Sequence, residues 1–420
     1  MNKKQIMIIL VILLLVPQAL WARYQIEITP SLRLSELYDD NIYLNNTDEI
    51  NDWITSITPG LNLNIFSQKN NFIFNYSPSI VRYKNKDENN TVRQALMFSF
   101  NSAVSQRFEF NISDTFLRSE DPLDDTNDIV GVRKTRNIYR RNNGNAGIRY
   151  TFGSSNTFML GVRHAYLKNQ DINIDNGTII DPYAGYTYWF NVKHGLEITA
   201  GYTKADFSRD GNTPPGDDYS GFNEGVGYRY RFDPHSTFFV SYDFTTRDFK
   251  GNTTDYEVYD GTIGFEKNVS EDMSYNISIG YFIWQNDMDV DDDGFSADIS
   301  LTKKINRGSF NFSGRSGWSE AYLEAERRGF TKYRQLSSIF NYQVMEKLSN
   351  FVSVSYRQDK DNNNRVSKTI TVNYGWDWNF FRNYSMSLDY SCSTRDDDLN
   401  TDDYMVNRVM FILRWSRPYR

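Results

Sequence analysis

Aromatic and apolar residues take every second position through about twenty short segments of this chain, and the breaks between segments alternate between tight turns and longer polar loops. A strand patterned in this way has one apolar and one polar face. Short turns at one rim and long loops at the other describe a transmembrane β-barrel, in which only half of each strand meets lipid. The clearest case lies near the end. Ile370, Val372, Tyr374, Trp376, Trp378 and Phe380 share one face, while Thr369, Thr371, Asn373, Gly375, Asp377 and Asn379 share the other. Mean hydropathy is −0.61, a value that suits a soluble protein but equally a barrel whose inward half is wet. The 29 Phe, 29 Tyr and 8 Trp residues are enough to build girdles at both interfaces.

The breaks set the topology. Gln68-Lys69-Asn70-Asn71, Gly153-Ser154-Ser155-Asn156, Asp233-Pro234-His235-Ser236 and Asn306-Arg307-Gly308 read as tight turns, because these residue types tolerate hairpin backbone angles. Segments 84–90, 119–135, 167–177, 205–219, 285–294, 319–330 and 394–403 read as Asp/Asn-rich loops. Counting from Tyr24 gives an all-β, up-and-down antiparallel barrel of about 20 strands, with both ends at the short-turn, periplasmic side. The range is 18–22, since 136–152 and 178–192 alternate poorly. One barrel domain, 23–420, is expected, its last strand running to about Trp415 with 416–420 as a tail. A soluble sandwich or solenoid would alternate too, but would not need aromatic faces on nearly every strand.

The first 22 residues read as a signal peptide. Lys3 and Lys4 precede the apolar run Ile6 to Val16, and Ala19-Leu20-Trp21-Ala22 suits cleavage after Ala22. Eleven apolar residues are too few to span a bilayer, for which about 20 are needed. The expected location is the outer membrane of a Gram-negative-type bacterium, with its lipid and its assembly machinery as partners. A lone cysteine, Cys392, rules out an intramolecular disulfide. The formal charge of −7 argues against a nucleic-acid partner, since no basic patch dominates.

The segment Tyr38-Asp39-Asp40-Asn41-Ile42, followed by Ile57-Thr58-Pro59-Gly60-Leu61 and then Tyr76 and Tyr83, resembles the start of the beta-barrel porin 2 family. These are outer-membrane proteins associated with exopolysaccharide or exosortase gene sets. The likeness covers about the first 85 residues. It implies an outer-membrane pore serving polysaccharide or other envelope export, and it carries over no catalytic residues. One departure concerns the end of the chain. The final residue is Arg420, not an aromatic, so recognition by the assembly machinery is expected to rest on Trp415 or Tyr419.

Nothing nominates an enzyme. His164, His194 and His235 fall on different hairpins, and no nucleophile elbow, Cys/His pair or His-x-x-x-His motif occurs. Asp289, Asp291 and Asp293 with Gly294 copy the opening of a calcium-binding loop, but the twelfth position is Ser300 and the bidentate ligand is missing. No cofactor is implied, and no catalytic or metal site is assigned.

The lumen wall carries the candidate functional residues. With apolar positions outward, Arg141, Arg149, Arg163, Glu197, Arg229, Arg231, Asp243 and Asp377 turn inward as pore-lining residues, joined by Glu109, Asp260, Glu266, Asp298 and Asp389. Such charges can set selectivity, either as separate basic and acidic sectors or as pairs across strands. Phe282 and Trp284 also turn inward, as stacking platforms for sugar rings or as girdle residues re-aimed by a bulge. Glu224 and Asp114 fall on the lipid face, which requires bulges or an interfacial depth. The expected function is a passive channel for polar solutes or polysaccharide export, constricted by loops 119–135 and 205–219. The alternative is a surface-exposed structural or adhesion barrel whose acidic loops bind partners or calcium.

Overall fold

The computed structural model describes residues 24–125, 130–288 and 291–420. The leader expected at 1–22 lies outside the described residues, as does Asp289. Twenty strands follow in order. The first seven are β1 (Gln25–Asp39), β2 (Asp52–Phe66), β3 (Asn70–Tyr83), β4 (Thr91–Ala103), β5 (Phe108–Ser119), β6 (Tyr139–Phe152) and β7 (Asn156–Asn169). Then come β8 (Asn176–Trp189), β9 (His194–Ser208), β10 (Tyr219–Asp233), β11 (Ser236–Phe249), β12 (Tyr256–Ser270), β13 (Met273–Asn286) and β14 (Asp291–Ile305). The last six are β15 (Gly308–Ala321), β16 (Gly329–Met345), β17 (Leu348–Asp361), β18 (Val366–Phe381), β19 (Tyr384–Asp397) and β20 (Tyr404–Ser416).

Each strand pairs antiparallel with the next, and β1 pairs with β20, so the sheet closes. The closing register runs over nine pairs from Ser31 opposite Ser416 to Asp39 opposite Arg408. Closure is what lipid demands, because it leaves no row of backbone groups unsatisfied. Residues 417–420, read from sequence as a tail, continue the seam. Ile28 N donates to Tyr419 O at 2.9 Å, Tyr419 N returns the bond to Ile28 O at 2.8 Å, and Arg417 N donates to Pro30 O at 3.2 Å.

Side-chain exposure identifies the two faces. Ile28, Leu32 and Leu34 on β1, Phe222, Val226 and Tyr228 on β10, and Val409, Phe411 and Leu413 on β20 are all exposed large hydrophobics on one side. That side is the lipid belt. Near its periplasmic edge Tyr150, Phe152, Tyr186 and Tyr188 stack in sequence, with centroids 5.9 to 6.3 Å apart. Turn chemistry closes this rim; Gly153, for instance, sits at φ +63°, a conformation that glycine adopts without steric cost.

The other rim differs from expectation. Most strands there reach further out than the apolar pattern does, which shortens their loops, whereas 84–90 keeps its bounds and the break between β5 and β6 lengthens to 120–138. Segment 285–294, expected as a loop, is mostly strand, because Asp291, Asp292 and Asp293 pair with Gln285, Trp284 and Ile283. Strands that extend beyond the bilayer need no apolar face, so hydropathy cannot mark their ends.

Candidate functional site: a lumen crossed by two loops

The outward row on β10 fixes Arg229 and Arg231 inside by alternation, and the same argument places the other six candidates on the inward face. Cross-strand pairing then sets their electrostatics. Arg229 lies 2.6 Å from Glu266 and 3.6 Å from Glu197. Arg163 bonds Asp181 at 2.8 Å and stacks over Tyr183. Asp377 meets Arg414 at 3.4 Å, and Asp298 meets Arg315 at 2.8 Å. Arg149 stands opposite Glu109 in register, while the Arg231 guanidinium is 3.9 Å from the centroid of the Trp189 ring.

Of the two arrangements foreseen for these charges, the wall takes local pairs across strands over separated sectors. Asp243 departs from this, standing opposite Asp260. The pairs remain wet. The side chains of Arg163 and Arg315 are 61% and 59% exposed although they point into the barrel, so this part of the lumen is open to water.

The extracellular end is different. Residues 120–125 and 130–138, between β5 and β6, and the loop 322–328, between β15 and β16, fold inward and meet. Glu324 accepts hydrogen bonds from Val130 N at 2.8 Å and Gly131 N at 3.0 Å. Gly131 packs so closely that a Cβ there would lie 2.4 Å from the Glu326 nitrogen. From the wall, Arg141 donates to the Leu323 carbonyl at 3.0 Å and bonds Asp125 at 2.5 Å. Arg141 is thus a buried strut, which distinguishes it from the water-exposed pairs below. Since β6 and β16 lie ten strands apart in a ring of twenty, these contacts bridge the full width of the barrel.

Three clusters anchor the loops. Beside the seam, Arg408 bonds Asp39 at 2.8 Å and Asp121 at 2.9 Å, and Arg93 bonds Glu120 at 2.6 Å. Arg136 donates to the Tyr83 hydroxyl at 2.7 Å, and Tyr83 donates to Glu120 at 2.7 Å. Burial pushes the Asp121 carboxyl up, but Arg408, Arg136 and Arg93 outweigh it and hold it well below the usual carboxylate range. A second cluster joins Arg328, Arg365 and Arg395 to Asp361, Asp397 and Glu326, and Arg395 reaches the Val130 carbonyl at 2.9 Å. The third is aromatic. Tyr322 packs on Tyr219 and Phe249, and Arg327 stacks over Phe207 at 4.2 Å.

Of the two loops expected to constrict, 119–135 meets its partner at the mouth through Val130 and Gly131. Segment 205–219 flanks the crossing instead, through Arg327, which donates to the Asp217 carbonyl at 2.5 Å. The partner across the lumen is 322–328. Phe282 and Trp284 face inward as expected but offer no platform, because Phe330 covers both and leaves them 1% and 6% exposed. Glu224 and Asp114 face outward with no register shift at either position. Asn142 donates to both Asp114 carboxyl oxygens at 2.9 Å, which reduces its cost against lipid. Asp291 and Asp293 stand on an extended strand, and the Tyr281 hydroxyl donates to Asp293. A straight strand cannot wrap a cation as a calcium loop does, and no cluster of metal-ligating groups occurs among the described residues.

Sequence reading missed the anchors Arg93, Glu120, Asp121, Arg136, Arg328, Arg365 and Arg408. Two signals were present. Asp39-Asp40-Asn41 and Tyr83 stood out as a motif, and each has a partner in this region: Asn41 donates to the Met405 carbonyl at 2.9 Å, and Asp40 accepts from Asn407 at 2.7 and 2.8 Å.

A closed ring of strands, greasy outside and charged within, defines an integral β-barrel of the outer-membrane class. Comparisons with solved structures agree on that fold. The siderophore receptor PirA from Pseudomonas aeruginosa is similar at a TM-score of 0.50 and 9% identity, over 92% of this chain and 80% of that one. A mutant of the ferric enterobactin receptor PfeA from the same organism gives 0.52 and 8%, over 93% and 81%. No protein-family model matches the chain, and no curated protein matches it in sequence.

Proposed function

We propose that this barrel is an outer-membrane channel through which polar solutes diffuse, with residues 120–125 and 130–138 and the 322–328 loop as its constriction. One observation carries the reading: inward charges that are paired yet water-exposed lie beneath two loops that meet across the mouth. A barrel of this size leaves an aqueous lumen unless something fills it. The paired wall keeps that lumen hydrated without strong net selectivity, so size at the loop crossing decides what passes. Passage is driven by the solute gradient. Polysaccharide as cargo, with envelope-export components as partners, rests on the resemblance of the first 85 residues alone.

Liposome swelling with neutral sugars of increasing size tests the proposal. Entry of monosaccharides with a sharp fall for larger sugars supports it, and exclusion of all of them refutes it. The second reading, a closed surface barrel that binds partners or calcium through its loops, draws on the buried ion pairs that lock the mouth. It predicts no swelling, together with binding that is lost when the loops are altered.

A further inference from the structure

We propose that the outer face of β5–β7 binds the phosphates of an anionic glycolipid headgroup in the outer leaflet. Arg118, Arg140 and Lys168 are outward-facing and consecutive in the ladder: Arg118 stands opposite Arg140, and Arg140 opposite Lys168. Arg140 and Lys168 are exposed, and Arg118 is half-buried, its guanidinium donating to the Val92 carbonyl. Like charges placed directly opposite one another on adjacent strands repel. None of the three joins an ion pair among the described residues.

The remaining carboxylates nearby are engaged. Glu120 points into the barrel and bonds Arg93, and Asp114, four residues down the same face, is held by Asn142. Elsewhere on the outer rim lysines are matched with acids, Lys204 with Asp206 at 3.1 Å and Lys368 with Asp396 at 3.6 Å. The β5–β7 row therefore lacks a counter-charge that its counterparts have.

Its height says where that counter-charge comes from. Phe108, Tyr150 and Phe158 form the lowest row of the same three strands. Ten residues up, at about 3.4 Å each on strands tilted by roughly 40°, the rise is about 25 Å, the height of the apolar band. The cations thus stand in the outer headgroup layer. Ile112, Ala146 and Val162 lie lower on the same face, where acyl chains of the bound lipid pack. Guanidinium forks suit phosphate oxygens.

The test is binding of a bisphosphorylated glycolipid, in detergent, to the refolded full chain, followed by native mass spectrometry. The wild type binds it, and its dephosphorylated form binds at least tenfold more weakly. R118Q/R140Q/K168Q weakens binding by about a hundredfold, at roughly fivefold per charge near a membrane surface. R140Q/K168Q, which alters only exposed side chains, loses about twenty-fivefold on the same basis. K204Q/K368Q leaves affinity unchanged. Equal binding of the phosphorylated and dephosphorylated lipids, equal binding by wild type and the R140Q/K168Q variant, or full competition by inorganic phosphate would each overturn the proposal.

Discussion

Asp39 and Arg408 face each other across the seam where β1 closes on β20, with 2.8 Å between carboxylate and guanidinium. Arg408 also holds Asp121 of the crossing loop, so one side chain joins barrel closure to loop anchoring. Removing it takes the nearest cation from two buried carboxylates and leaves them the longer contacts to Arg136 and Arg93, so the loss stays below the roughly 3–5 kcal/mol of a fully broken buried pair. R408Q should lower the temperature at which the folded band is lost on semi-native gels. Substituting exposed Arg140 should not.

The crossing itself is testable at Gly131. A methyl group there would meet the Glu326 backbone nitrogen at 2.4 Å, closer than any neighbour can accept without moving. G131A should separate the two loops and raise sugar swelling rates severalfold while the barrel stays folded. E324A, which removes the acceptor for two backbone amides, should act in the same direction.

Asp121 sets the response to acid. Its carboxyl is held below the usual range despite burial. A group whose pKa is depressed in the folded state contributes stability above its ordinary value of 3.8, and that contribution is lost only as pH falls through the lower folded value. The contribution of Asp121 should therefore persist from pH 8 down to about 4, whereas burial raises the carboxyl of Asp39, which shares Arg408. D121N should loosen residues 120–125 and 130–138 and raise their cleavage by protease at pH 7, where the wild type resists.

The C-terminal residues extend the seam. Deleting 417–420 removes three backbone hydrogen bonds to β1 and the Arg420–Glu27 contact at 2.6 Å. At about 0.5–1.5 kcal/mol per backbone bond, urea-induced unfolding should shift to lower concentration. Membrane insertion should persist if Trp415 suffices as the terminal aromatic, and loss of heat-modifiable mobility would show that Tyr419 is needed.

Strand number and the tight turns were legible because both are local properties. Alternation places Arg229 and Asp377 inside with no knowledge of their partners, and Asp233-Pro234-His235-Ser236 turns by its own backbone preferences. The crossing was not legible. Arg141 and Leu323 are 182 residues apart in sequence, and nothing in either segment announces the other. Asp291–Asp293 misled for a related reason: cross-strand pairing with Gln285 to Ile283 overrides the loop preference of an acidic run.

Single-channel recording on the refolded chain tests the central claim most directly. The wild type should give ohmic steps, G131A larger ones, and R229E/R231E a shift toward cation selectivity, because reversing these two charges leaves Glu266 and Glu197 without their partner. Electrical silence from both the wild type and G131A, with the barrel shown to be folded, would contradict a water-filled path through the lumen.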